Sequence, residues 1–405
     1  MTSRLCAVLA VVAVAVPGAA RAQWAVGAWG VPAVSRMDPA PGDSALTSIV
    51  LAQPTLFLSG RAWGDRVRVH AMLNAEGWTM KDGQPAPGVS GEGWFDKRHP
   101  HTWGHELVVS LVNVARLPGG VSWSLSAGKG FAPFGSDDPM IRPALLFPAN
   151  HHLAQVLERA VLVAALRGRY ASAEAGLFNG DEPERPGQWP AWERFGDSWS
   201  ARAMLLPAQG VELTTSFARV ESPEHRGGQG LDHTMWHALA RYQRSVALGD
   251  LYAMVEWAHT DEEGVFTYTS LLAEAQVRSG RHRPYLRMER TDRPEETRRF
   301  GDPFRSVRPH NENGNLGITR WTTITAGYGL SLGGVGPARV EAVAEAARAH
   351  VGVRSGVVLD PAGFYGRNTL WLMSVGLRIG VGKPLHRMGR YGAMRDHDRN
   401  HHQPH

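Results

Sequence analysis

Residues 371–379 read Trp371-Leu372-Met373-Ser374-Val375-Gly376-Leu377-Arg378-Ile379, and the fold turns on how they alternate. In an extended chain Trp371, Met373, Val375, Leu377 and Ile379 share one side, opposite Leu372, Ser374, Gly376 and Arg378. One face suits lipid and the other suits water. The same period of two runs through residues 66–73 (RVRVHAML), 211–218 (VELTTSFA) and 251–257 (LYAMVEW). No segment after residue 22 approaches the run of about 18 apolar residues that a membrane helix needs.

Working outward, candidate strands fall at 24–34, 45–59, 63–78, 104–115, 119–131, 155–168, 169–178 and 197–208. They continue at 210–220, 232–246, 249–260, 266–279, 281–291, 317–331, 335–347 and 368–380. Short links such as Leu117-Pro118-Gly119-Gly120, Gln209-Gly210, Ser279-Gly280 and Gly333-Gly334 read as hairpin turns. Stretches 79–103, 132–154, 179–196, 292–316 and 348–367 read as long loops on the opposite side. This alternation is the signature of a transmembrane antiparallel meander β-barrel, all-β, of about 16 strands within a range of 14–18. Two segments fit less well: 338–346 has helix-forming composition, and 155–168 alternates poorly around Val161-Leu162-Val163-Ala164-Ala165.

Residues 1–22 read as a Sec-type signal peptide: a basic start ending at Arg4, an apolar core from Leu5 to Val16, and an Ala20-Arg21-Ala22 cleavage site. The expected organisation is therefore a signal peptide at 1–22, a barrel at 23–382, and a basic, His-rich tail at 383–405 that is mobile and periplasmic. The single cysteine, Cys6, lies inside the leader, so the exported chain carries no thiol. The formal net charge is +5, with arginine far in excess of lysine. Trp24, Trp63, Trp94, Trp103, Trp199, Trp236, Trp257, Trp321 and Trp371 mostly fall near strand ends, where indoles sit well at the headgroup level.

Residues 122–207 resemble the phosphate-selective porin (O and P) family of outer-membrane barrels. The likeness rests on Gly128-Lys129-Gly130-Phe131-Ala132-Pro133-Phe134-Gly135, Leu157-Glu158-Arg159-Ala160-Val161, Ala175-Gly176-Leu177-Phe178-Asn179-Gly180-Asp181-Glu182-Pro183 and Asp197-Ser198-Trp199-Ser200-Ala201-Arg202. The resemblance implies a sixteen-stranded barrel with a narrowed pore that passes anions past a ladder of lysines and arginines. A second stretch, 96–106 (DKRHPHTWGHE), is similar to segments of uncharacterised outer-membrane proteins.

Two sets of side chains carry candidate chemistry. Arg66, Arg68, Arg283, Arg287 and Arg320 fall on polar strand faces as pore-lining candidates, with Glu256, Glu289 and Glu341 placed to pair with them. Either the guanidiniums form an anion-attracting ladder or the pairs stitch the lumen together. His99, His101, His105 and Glu106 with His151 and His152 are of the right type for zinc, copper or nickel. The alternative is that they anchor a loop to the barrel wall. The tail, with His386, Met388, Met394, His397, His401, His402 and His405, reads equally as a metal-capturing arm or a solvated end. No G-x-S-x-G or Walker motif is present, so the reading is not an enzyme.

The sequence thus points to an outer-membrane porin for passive diffusion of small hydrophilic solutes, anion-preferring, with loop 132–154 folded inward as the constriction. It needs no cofactor, contacts membrane lipid and lipopolysaccharide, forms a homotrimer as barrels of this size often do, and binds no nucleic acid. A transition-metal-binding or metal-exporting barrel and a plugged, non-conducting receptor are the alternatives.

Overall fold

The computed structural model describes residues 23–40, 44–79, 102–183, 185–300, 302–307, 314–355, 360–385 and 387–393. The strands are β1 (Gln23–Ala40), β2 (Ser44–Ala62), β3 (Val67–Asn74), β4 (Gly104–Leu117), β5 (Val121–Gly130), β6 (Arg159–Arg167), β7 (Ala171–Phe178), β8 (Ser198–Ala208) and β9 (Val211–Val220). They continue as β10 (His233–Val246), β11 (Gly249–Glu262), β12 (Phe266–Arg278), β13 (His282–Glu296), β14 (Arg298–Arg299), β15 (Asp302–Ser306), β16 (Asn315–Val335), β17 (Ala338–Ser355) and β18 (Thr369–Gly382). Strands β14 and β15 form a separate two-stranded ribbon. The other sixteen form one closed antiparallel meander, shut by β1 against β18 from Gly27↔Gly382 to Asp38↔Trp371. Closure removes both sheet edges, which lets a sheet stand in lipid without unpaired backbone.

Every expected strand is present, including the two that fit the pattern less well. In β17, Val343, Glu345 and Ala347 face inward while the intervening alanine and arginine side chains face out, so ladder bonds on both sides override helix propensity. In β6 the inward Val161, Val163 and Ala165 are as apolar as the outward Leu162 and Leu166. The cause is tertiary: this wall is covered inside by protein, not water. The long-short alternation is looser than expected, because β11 and β12 are joined at the long-loop end by only residues 263–265.

Inward positions carry charge and hydroxyls, and outward positions carry Leu, Val, Ile, Met and Trp. In β18, Trp371, Met373 and Val375 are exposed outward, whereas Leu372, Ser374 and Arg378 are buried inside. Trp24, Trp63, Trp103, Trp199, Trp236, Trp257 and Trp371 are likewise exposed. Trp321 departs from this group: it points inward and is fully buried against Tyr365, Leu370 and Leu372. Trp94 lies outside the described residues.

Candidate functional site: a filled lumen

The barrel interior is occupied by two segments, each lying against a different part of the wall. The first is residues 131–158, the β5–β6 connection, which enters the lumen as the sequence led one to expect and is buried along nearly its whole length. A buried loop must find partners for its peptide groups, and here the wall supplies them. Glu345 accepts from the backbone N–H of Leu145 (2.8 Å) and Leu146 (3.0 Å), and Glu289 accepts from Ala149 (3.0 Å). Arg378 donates to the carbonyls of Pro143 (2.8 Å) and Ala144 (3.1 Å), Arg283 to Pro143 (3.0 Å), and Arg287 to Leu146 (2.6 Å).

The loop's own Arg142 completes this network. Its Nε donates to Glu274 at 2.9 Å, and Glu256 lies 3.5 Å away. Burial disfavours the cation, but Glu274 and Glu256 outweigh it and push the Arg142 pKa up. Glu274 also accepts from Arg287 (2.9 Å) and from the Tyr252 hydroxyl (2.7 Å). Apolar residues fill what remains: Ala144 and Leu145 pack on Val31, Val50 and Tyr285. The middle of the loop therefore lies along β10–β13, β16–β18 and the adjoining β1 and β2, while its two ends, with Ala132, Phe134 and Val156, pack on Val108, Val161, Phe178 and Ala218.

At its base the loop turns on Gly135, which has φ of +71° and a backbone N–H bonded to Ser216 Oγ at 2.8 Å. A Cβ there would stand 1.7 Å from the Ala154 carbonyl oxygen. Gly135→Ala is expected to destabilise the folded barrel by about 1–3 kcal/mol, from backbone strain plus this clash, read as a lower unfolding midpoint in denaturant.

The second segment is the chain end. Residues 383–385 and 387–393 do not hang free in solvent, as the sequence suggested, but enter the lumen after Gly382. Leu385 and Met388 pack with Phe57, Met72, Phe131 and Met140. Arg387 forms a forked pair with Glu212 (2.7 and 2.9 Å) and donates Nε to Asp137 at 2.8 Å. Arg202, itself bidentate to Glu174 (2.7 and 2.9 Å), also donates to the Gly389 carbonyl. The Tyr391 hydroxyl donates to Glu106 at 2.6 Å and accepts from the Phe131 N–H at 3.2 Å. Burial pushes the Asp137 pKa up, but Arg241, Arg387 and Arg390 together hold its carboxyl well below the usual range. The remainder of the tail, 394–405, and His386 lie outside the described residues.

The expected pore-lining residues separate into three groups. Arg68, Arg283, Arg287, Glu256 and Glu289 are indeed buried inside. Arg66 is not: it sits in the exposed turn between β2 and β3, one residue before the strand begins. Arg320 is not either. It shares the outward face with Asp292, to which it donates at 2.7 Å, because inward positions of β16 are the odd ones, Thr319 to Thr325. Sequence reasoning missed Arg142, Glu274, Glu345, Asp137, Glu212, Arg387 and Arg390. Arginine in the loop and tail is indistinguishable from solvated arginine until a carboxylate is seen opposite it.

The described metal candidates, His105, Glu106, His151 and His152, are not gathered into one site. His105 Nδ1 lies 2.5 Å from Glu158, Glu106 holds Tyr391, His151 packs on the edge of Phe147, and His152 faces Glu182 at 3.6 Å. Among the described residues no group of three or more His, Cys, Asp or Glu side chains could hold a metal ion. His99 and His101 lie outside the described residues. The anchoring role has the geometric support.

Above the loop, at the long-loop end, a small vestibule opens between residues 149–159 and β9–β13, walled by Glu182, Glu262, Glu296, Arg159, Arg293 and Tyr268.

No family model and no curated protein matches this chain. Solved structures do. The anion-selective porin of Comamonas acidovorans superposes with a TM-score of 0.52 at 9% identity, over 90% of this chain and 100% of the porin. The architecture is a porin barrel. OmpT of Vibrio cholerae lacking loop L8 gives a TM-score of 0.49 at 9% identity, over 89% of this chain and 99% of OmpT. OpdK of Pseudomonas aeruginosa gives 0.44 at 9% identity, over 89% and 99% respectively. At such identities the porin fold is what is shared, and the lumen must be read on its own residues.

Proposed function

We propose that this chain is an outer-membrane, porin-like channel for small hydrophilic solutes, delivered by Sec export and seated with its short turns in the periplasm and its long loops and vestibule outside. The observation that carries this reading is the closed sixteen-strand barrel, apolar outside and charge-lined inside, with a β5–β6 loop folded inward where a constriction belongs. Lipid and lipopolysaccharide would meet its outer face, and a homotrimer is the expected assembly, to be read by cross-linking in detergent.

The anion preference expected from the arginine content draws little support from the geometry. Arg283 is paired with Glu341 (2.7 Å), and Arg287 and Arg142 with Glu274 (2.9 Å each), Arg142 also lying 3.5 Å from Glu256, so these guanidiniums are tied to carboxylates where they stand. A phosphate ladder would need luminal lysines or arginines left open to the solute. The chain has only Lys81, Lys97, Lys129 and Lys383, and Lys129 is held by Thr102 and the Gly104 carbonyl. A specific observation favours a second reading, a plugged receptor barrel: both segments fill the lumen.

Single-channel currents of refolded protein in planar bilayers separate the two. Steady ohmic steps, with chloride, phosphate and potassium permeabilities in comparable proportion, are expected of the channel. Silence from the full chain and from every variant with a shortened lumen segment would establish the receptor instead.

A further inference from the structure

The tail occupies the part of the lumen that the β5–β6 loop leaves over, facing β2–β9. The wall behind it is unlike a permanent core, because its inward positions include Ser110, Ser122, Ser124, Ser126 and Ser200. Small hydroxyls waste the burial that larger apolar side chains would give, yet they are well suited to a water-filled wall. Beside the apolar contacts of Leu385, Met388 and Tyr391, the tail is attached by polar groups: Arg387 on Asp137 and Glu212, Tyr391 on Glu106, and the Gly389 carbonyl on Arg202. Lys383, on the segment leaving β18, donates to Ser59 at 2.6 Å.

Charge shows what would follow on release. The charged groups that the tail meets are Asp137 and Glu212, both also paired with Arg241, together with Glu106 and the Arg202–Glu174 pair. The tail adds Arg387 and Arg390 beside Asp137 and Glu212. Uncompensated buried carboxylates are costly, so an emptied site would fill with water and attract cations. Its fork geometry at Glu212 is matched to a planar guanidinium more closely than to an ammonium.

Resting on the channel reading above, we propose that residues 383–385 and 387–393 form a tethered plug that holds the β2–β9 side of the lumen shut. Arg387 occupies a carboxylate site formed by Asp137 and Glu212, which takes small guanidinium-bearing cations once the plug leaves. The plug is thus a resident copy of the group that the open pore selects.

The test uses the chain from Gln23, which has no cysteine, refolded and checked for heat-modifiable gel migration. Full-length protein, a variant ending at Lys383, and Arg387→Gln are compared in planar bilayers with and without millimolar L-argininamide or L-glutamate. Expected are at least tenfold higher mean conductance on truncation, an intermediate rise for Arg387→Gln, and potassium favoured over chloride in both. L-Argininamide, but not L-glutamate, should raise the open probability of the full chain.

Equal conductance of truncated and full chains would overturn the plug and leave the channel standing. Opening on truncation without an argininamide response overturns the guanidinium site alone. Silence from every folded variant sinks the channel reading and the plug with it.

Discussion

Replacing Glu274 with alanine is expected to destabilise the folded barrel by about 3–5 kcal/mol, among the largest effects of any single change in the lumen. This carboxylate is the point at which loop and wall are joined, accepting from Arg142, Arg287 and Tyr252 at 2.9, 2.9 and 2.7 Å. Removing it leaves two buried guanidiniums short of a counter-charge, and Glu256 and Glu289 are already committed to Asn150 and Ala149. Alanine also leaves a cavity that cannot collapse in a closed barrel. The loop should detach locally before the strands separate. Denaturant titration in lipid vesicles should therefore show a lower midpoint, together with new protease cleavage between residues 139 and 149. An unchanged midpoint would mean that the loop is held by its apolar contacts alone. Glu274→Gln, which keeps the volume and one acceptor, should recover part of the loss.

Val255→Arg is the second large effect, and it acts from the other side of the wall. Val255 points outward at the middle of β11, half exposed, between Ala240 and Ala273 on the neighbouring strands. A guanidinium there faces hydrocarbon with no carboxylate alongside, which costs about 2–4 kcal/mol near the bilayer midplane. The fraction folding into vesicles should fall accordingly, while the same chain in detergent loses less. Equal behaviour of Val255→Arg and wild type in vesicles would show that this surface does not meet lipid. Arg320, also outward, is tolerated because it lies near the rim and Asp292 neutralises it at 2.7 Å.

The barrel itself was legible from local pattern, because a membrane strand carries its two environments in alternate residues. Trp371 to Ile379 shows the lipid face and the lumen face at once, and all sixteen strands followed from that period and from the glycine-bearing turns. The inward course of the β5–β6 loop was expected too, for residues 132–154, and the burial of that stretch agrees. Inward or outward placement failed where a single residue of phase decides it. Arg66 falls in a turn, Arg320 on the far side of its strand, and Trp321 on the inner face, since one step along a strand exchanges lipid for lumen.

What the sequence could not disclose is pairing across the lumen. Arg387 meets Glu212 over a separation of 175 residues and Tyr391 meets Glu106 over 285, contacts that leave no local trace. The basic segment after Gly382 has the composition of a solvated tail, and in isolation it would be one. Only closure of the sheet creates a space of its size, lined with carboxylates at the right height. The one-dimensional pattern therefore determined that this chain makes a membrane barrel, and the curvature that brings distant strands face to face decided what fills it.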